Sequence, residues 1–236
     1  MIRVIITCEH GGNQIPSIYR HCFSEAGDVL DTHRAIDKGG LDLFHSLKLL
    51  ADFVNYSETC RLLVDLNRSL DSPTLFSEFT RNLPEADKNK IISEYYNPYR
   101  NAVCEKTTMF ITEGSHVVHI SVHSFAPLLN NEVRKNDIGL LFDPSKKSEV
   151  RFSELWADAV KYNDPSIIVM YNYPYTGTGD GLPKTLREAF PDNYTGIELE
   201  VNQRFAAGDK MNKQIKNMLF ITLKETLKKV NDKIPE

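Results

Sequence analysis

Positive charge is in short supply in this chain of 236 residues: 28 Lys and Arg stand against 32 Asp and Glu, for a net charge of −4. Nucleic-acid binders carry a basic face, so that class of partner is set aside. No apolar run approaches membrane-spanning length, and no charged region leads into a long apolar stretch at the start. A membrane span and a secretory leader are therefore not expected. Cysteine is also sparse. Cys8, Cys22, Cys60 and Cys104 are scattered without Cys-x-x-Cys spacing, which argues against a disulfide framework and fits a reduced, cytoplasmic protein. Internal repeats and low-complexity segments are missing, as are the GxxxxGK[ST] and GxGxxG phosphate loops and a local HExxH motif.

What is present is an ordinary globular composition, 41% apolar and 25% charged, with ample material for one core. At this length we expect a single domain over residues 1–236. The composition carries no reading of oligomeric state.

The stretch Met1–Pro16 organises the rest. Ile2–Cys8 is a β-branched, nearly uncharged run, as in a strand inside a sheet. It stops at Glu9-His10 and two glycines, where an open α/β sheet places its ligands, outside the carboxyl ends of the strands. Strict alternation puts Val4, Ile6, Cys8 and His10 on one face, and Ile5, Thr7 and Glu9 on the other.

Further strands are expected at Phe53–Ser57, Cys60–Leu66, Val117–His123, Ile138–Phe142, Ile167–Tyr171 and Thr195–Asn202, those at 138–142 and 167–171 as buried strands. Helices are expected over Arg34–Ala51 (or starting after the costly pair Gly39-Gly40), over Glu85–Thr107 with a break at Pro98, over Val150–Tyr162, and over Ala206–Val230. Ser69–Asn82 reads as a loop long enough to reach over a site, and Asn172–Pro183 as a lip.

Several strand ends carry chemistry. Cys60–Leu66 runs into Asn67-Arg68, a pair suited to grip a carboxylate through the planar guanidinium. Val117–His123 ends in His123-Ser124. His119 lies about 13 Å from His123 along an extended strand and cannot share its metal, so His119 and His116 read as structural. His33, His21 and His45 read as surface or packing residues. Thr195–Asn202 puts Glu198 and Glu200 on one face, and paired carboxylates on a core strand call for a cation or a reaction. Alternation does not choose between them. Asp37 follows the first turn, and Arg100 follows an aromatic cluster from which it can face the cleft. Together His10, Asp37, Asn67-Arg68, His123 and Glu200 are the inventory of a mononuclear zinc hydrolase.

In order, CEHGGNQIP, THRAIDKGG, VDLNR, YYNPYR, VHISVHSF and ELEVNQ resemble the successive motifs of the N-formylglutamate amidohydrolase family, itself related to zinc carboxypeptidases and aspartoacylases. The resemblance spans about Ile2 to Phe205. It implies a phosphorylase/hydrolase-like fold, a three-layer α/β/α sandwich around a mixed, mostly parallel sheet. It also implies Zn2+ on His10 and His123, with Asp37 as the third ligand and Glu9 as the substitute. Glu200 becomes the general base with Arg68 as a second catalytic residue, Asn67 and Arg68 the receivers of a substrate carboxylate, and Ser124 part of the ligand-bearing segment. Two positions depart from the pattern: Asn13 stands where a Glu ligand is usual three residues after the first His, and Asn202 stands where an Arg is usual. The activity implied is hydrolysis of the N-acyl bond of a small acidic amino acid, archetypally N-formyl-L-glutamate. The rivals are a zinc exopeptidase or other acyl-amino-acid hydrolase with the same centre, and a catalytically silent binding protein.

Overall fold

The computed structural model describes residues 1–232. In chain order it contains β1 (Ile2–Cys8), α1 (Gly40–Leu47), β2 (Phe53–Tyr56), α2 (Glu85–Ile91), α3 (Asn97–Thr112), β3 (His116–Phe125), β4 (Leu128–Leu129), β5 (Glu132–Val133), β6 (Ile138–Leu141), α4 (Lys147–Asn163), β7 (Val169–Tyr171), α5 (Leu182–Ala189), β8 (Tyr194–Asn202), β9 (Ala206–Ala207), β10 (Lys210–Met211) and α6 (Lys213–Asn231). Six strands form the central sheet in the order β2-β1-β3-β8-β6-β7. All neighbours are parallel except β8 and β6. β1, β3 and β8 therefore point the same way and deliver their carboxyl ends to one edge.

The two faces differ in character. Val4, Ile6 and Cys8 of β1, Val118, Ile120 and Val122 of β3, and Ile197, Leu199 and Val201 of β8 form an apolar face. It is covered by Leu43 and Phe44 of α1, Phe152 and Trp156 of α4, and Leu219 and Leu223 of α6. The other face is apolar only at its amino-terminal end, where Ile5, Val117 and Tyr194 meet Tyr99 and Val103 of α3 and Leu182 and Leu186 of α5. Farther along, its positions are Thr7, His119, Ser121, His123, Glu198 and Glu200, all buried. This is the expected three-layer α/β/α sandwich, with buried polar groups concentrated on one side and toward one end. Such groups persist only when partnered or used. Among the described residues no helix is long and apolar enough to cross a membrane.

Four local expectations are corrected, and the start of the first helix is decided between its two readings. Cys60–Leu66 is not a strand. The segment closes turns instead, with the Leu63 amide on the Cys60 carbonyl and the Arg68 amide on that of Asp65, held by Ser77 and Thr80 hydroxyls on the Leu62 and Leu63 carbonyls. The helix after β1 starts only at Gly40, because Gly39 adopts a left-handed φ of 75°. Pro98 does not break its helix: a π-turn at Ile92–Tyr96 leads into α3, where the proline occupies the first turn and needs no N–H acceptor. The closing helix begins at Lys213, capped by the Asn212 side chain on the Gln214 and Ile215 amides, after the β9–β10 hairpin. β7 is a half-exposed edge strand of three residues rather than a buried one.

Candidate metal centre and active site

β1 ends at Cys8, and the turn frees His10 from the alternation of the strand. The turn is tight: a side chain at Gly12 would lie 2.5 Å from the Glu58 carbonyl. His10 therefore does not stay with Val4 and Ile6 but swings to meet His123, which belongs to the polar face. The Asp37 amide donates to the His10 carbonyl at 3.1 Å and so brings its side chain to the same point. His10 Nδ1 and His123 Nδ1 are 3.2 Å apart. Asp37 Oδ2 is 2.9 Å from the second and 3.5 Å from the first. A tetrahedral ion with bonds of about 2.0–2.1 Å has ligand atoms about 3.3 Å apart. All three residues are buried, and their donor atoms form a metal-sized cluster.

The far nitrogens are held as ligand histidines require. His10 Nε2 lies 2.8 Å from Asp65 Oδ1. His123 Nε2 lies 2.8 Å from Ser121 Oγ and 3.2 Å from Glu9 Oε2. Ser121 donates to Glu9, as does the Tyr99 hydroxyl. A carboxylate behind each ring orients it and fixes which nitrogen faces inward. Glu9 thus sits behind His123, while Asp37 faces the cluster. Burial works against charge at His123, but the hydrogen bonds and charges of Asp37 and Glu9 outweigh it and hold the imidazole well above its ordinary value. Burial likewise opposes ionisation of Glu9, yet the bond and charge of His123, with Ser121 and Thr7, bring it down to about 2.

A cavity of about 700 Å³ opens from this cluster, its wall including Arg61, Asn67, Arg68, Ser124, Phe125, Tyr175, Asp180, Glu198 and Glu200. Glu200 stands opposite His123 in the β3–β8 register. Its Oε2 is buried without a hydrogen-bond partner among the described residues. Burial, then the Asp37 and Glu198 carboxylates, push Glu200 up to about 8 against the pull of His123 and Arg61. Glu198, one pleat deeper, receives the Asn67 amide at 3.5 Å.

The expected carboxylate grip is arranged unevenly. Asn67 uses its Oδ1 on the Leu182 amide at the start of α5. Arg68 anchors one nitrogen on the Asn67 and Asp180 carbonyls and has no carboxylate within ion-pair distance among the described residues. Ser124 lines the cavity, but its hydroxyl donates to the Lys38 carbonyl and accepts from Gln203. Arg100 departs from expectation. It does not line the cavity; its guanidinium bonds the Leu66 carbonyl and the Thr185 hydroxyl and lies over the Tyr96 ring. Two residues came without a signal of their own. Arg61 reaches Asp37 Oδ1 at 3.5 Å from a turn that reads as strand, and Asp65 sits inside VDLNR, where alternation cannot show that it backs His10.

The sequence pattern of N-formylglutamate amidohydrolase matches residues 2–207. The chain belongs to the N-formylglutamate amidohydrolase family. A gene product of Agrobacterium tumefaciens has a similar structure, with a TM-score of 0.82 and 26% identity over 97% of this chain and 91% of its own. An N-formylglutamate amidohydrolase from Ralstonia eutropha shares the fold at a TM-score of 0.72 and 16% identity, over 98% of this chain and 94% of its own. No curated protein matches the chain in sequence. Family membership makes this an amide-bond hydrolase acting on a small molecule.

Proposed function

We propose that this amidohydrolase is zinc-dependent and cleaves the N-acyl bond of a small acidic amino acid, with N-formyl-L-glutamate as the archetype, in the reducing cytoplasm. His10, His123 and Asp37 would hold the ion. A zinc ion with an open position acidifies water to a pKa of about 7 and polarises a carbonyl.

The chain's own residues supply the rest. Glu200 lines the cavity, its Oε2 has no competing partner, and it takes a proton from the attacking water, then returns it to the leaving nitrogen. A cation in the cluster beside it favours the carboxylate form that this role needs. Arg61 presents a cation beside Asp37, where the carbonyl oxygen gains charge. Arg68 binds the α-carboxylate with the nitrogens its backbone anchors leave free. The observation that carries the reading is the conjunction of the His10–Asp37–His123 triangle with the unpartnered carboxylate oxygen of Glu200.

The test pairs elemental analysis with an assay of formate release from N-formyl-L-glutamate. About one zinc per chain is expected. Glu200→Gln should keep the zinc and lose turnover by about a hundredfold or more. Full turnover in metal-free protein, or in Glu200→Gln with Glu198→Gln silent, would sink the assignment.

A further inference from the structure

Behind two aromatic residues of the cavity wall stands a cation that the reaction does not use. Arg134 follows β5, and its backbone is pinned at both ends: its amide donates to the Pro127 carbonyl and its carbonyl accepts from the Asn202 side chain. Asn202 ends β8 two residues past Glu200 and pairs in register with Phe125, so Arg134 is tied to the rim one pleat beyond the carboxylate. Its guanidinium carbon lies 4.9 Å from the centre of the Tyr175 ring and 5.8 Å from that of Phe125, both residues of the cavity wall. One nitrogen donates to the Tyr175 hydroxyl at 3.1 Å. Among the described residues it has no carboxylate within ion-pair distance. Its charge also reaches the cavity residue His33, where, after burial, it holds the imidazole below its ordinary value.

The hydrogen bond to Tyr175 engages a single guanidinium nitrogen. Five donors lie in the guanidinium plane, and the Tyr175 hydroxyl takes one. A half-buried arginine placed beside two aromatic rings, with donors unassigned, is suited to a planar anion. Arg68, on the cavity wall itself, likewise has no carboxylate within ion-pair distance among the described residues. Two guanidiniums without acidic partners around one cavity match a ligand with two carboxylates.

Given the hydrolytic reading above, on which this rests, we propose that Arg134 binds the side-chain carboxylate of an acidic N-acyl amino acid while Arg68 binds its α-carboxylate. Arg134 is thereby a specificity residue, selecting glutamate-like over glutamine-like substrates, and Tyr175 is its positioning residue.

Calorimetry on the zinc-loaded Glu200→Gln protein, which binds without turnover, tests this with N-formyl-L-glutamate and N-formyl-L-glutamine. These differ only in the charge of the side-chain terminus. The glutamate compound should bind about tenfold tighter or more. Adding Arg134→Gln should collapse that preference to near unity, Arg134→Lys should retain part of it, and Tyr175→Phe should weaken it. Equal binding of both compounds, or a preference that survives Arg134→Gln, overturns the assignment and leaves the hydrolytic reading standing. Binding of neither compound overturns both.

Discussion

At the scale of single residues, the centre is built as much by what stands behind the histidines as by the histidines themselves. Asp65 illustrates this, because it touches His10 Nε2 rather than the cluster. Asp65→Asn keeps the shape and removes the charge that orients and strengthens that imidazole. Zinc affinity, measured by competition with a chelator, should fall about 10–100-fold with the fold intact. An unchanged affinity would mean that His10 is oriented by its turn alone. Glu9, the sequence's alternative to Asp37, occupies the matching place behind His123. Its own hydrogen bonds explain why it cannot also face inward: Tyr99, Ser121 and His123 already surround its two oxygens.

At the scale of elements, the segment 60–68 shows how a misread strand can still carry the right residues. Its turns bring Arg61, Asn67 and Arg68 to one cavity and Asp65 behind His10, and Asn67 then joins three elements. The Asn67 side chain accepts from the Leu182 amide of α5 and donates to Glu198 of β8. Asn67→Ala leaves the buried Leu182 N–H without its acceptor and should destabilise the fold by about 1–3 kcal/mol. Urea denaturation of the metal-free protein measures this. A loss below a few tenths of a kcal/mol would mean that Asn67 serves the ligand alone. The strands themselves were legible because β1, β3 and β8 are β-branched and sit in the interior of the sheet. The 60–66 run, CRLLVDL, has the same look, yet its amides close local turns, Leu63 on the Cys60 carbonyl, instead of pairing with a strand. The Ala206–Val230 stretch failed differently: Gly208 turns the chain with a φ of 58°, so the helix waits for the cap at Asn212.

At the scale of the whole molecule, stability should depend on pH through a histidine far from the chemistry. His119 is fully buried between the Thr7 hydroxyl at 2.8 Å and the Tyr194 hydroxyl at 2.7 Å. Burial pushes its pKa down to about 4, whereas in the unfolded chain it titrates near 6.5. Between those values the unfolded chain binds a proton that the folded protein refuses, so stability falls as pH drops from about 6.5 toward 4. The contribution should be about 2 kcal/mol between pH 7 and pH 5. His119→Gln removes the titration, so chelator-treated wild type should lose more stability than the variant across that range. Equal slopes in urea would show that His119 is not the group responsible.

Much of this was written into the chain itself. The apolar alternation of β1, β3 and β8, and the chemistry-bearing residues at their ends, follow from local pattern, because a strand's period of two and its abrupt stop at glycine are properties of a few adjacent residues. The motif order carried the family and the zinc reading. Tertiary structure alone decided that Asp37 rather than Glu9 faces His10 and His123, since the choice turns on which side of an imidazole each carboxylate reaches. It also decided that Arg100 is engaged elsewhere, that Arg61 lines the cavity, that Asp65 stands behind His10 and that Arg134 lies against two rings of the cavity wall. These are long-range placements: residues 61, 65 and 134 arrive by turns and by the pairing of β3 with β8, and no spacing within the chain encodes which side chains such distant segments will bring together.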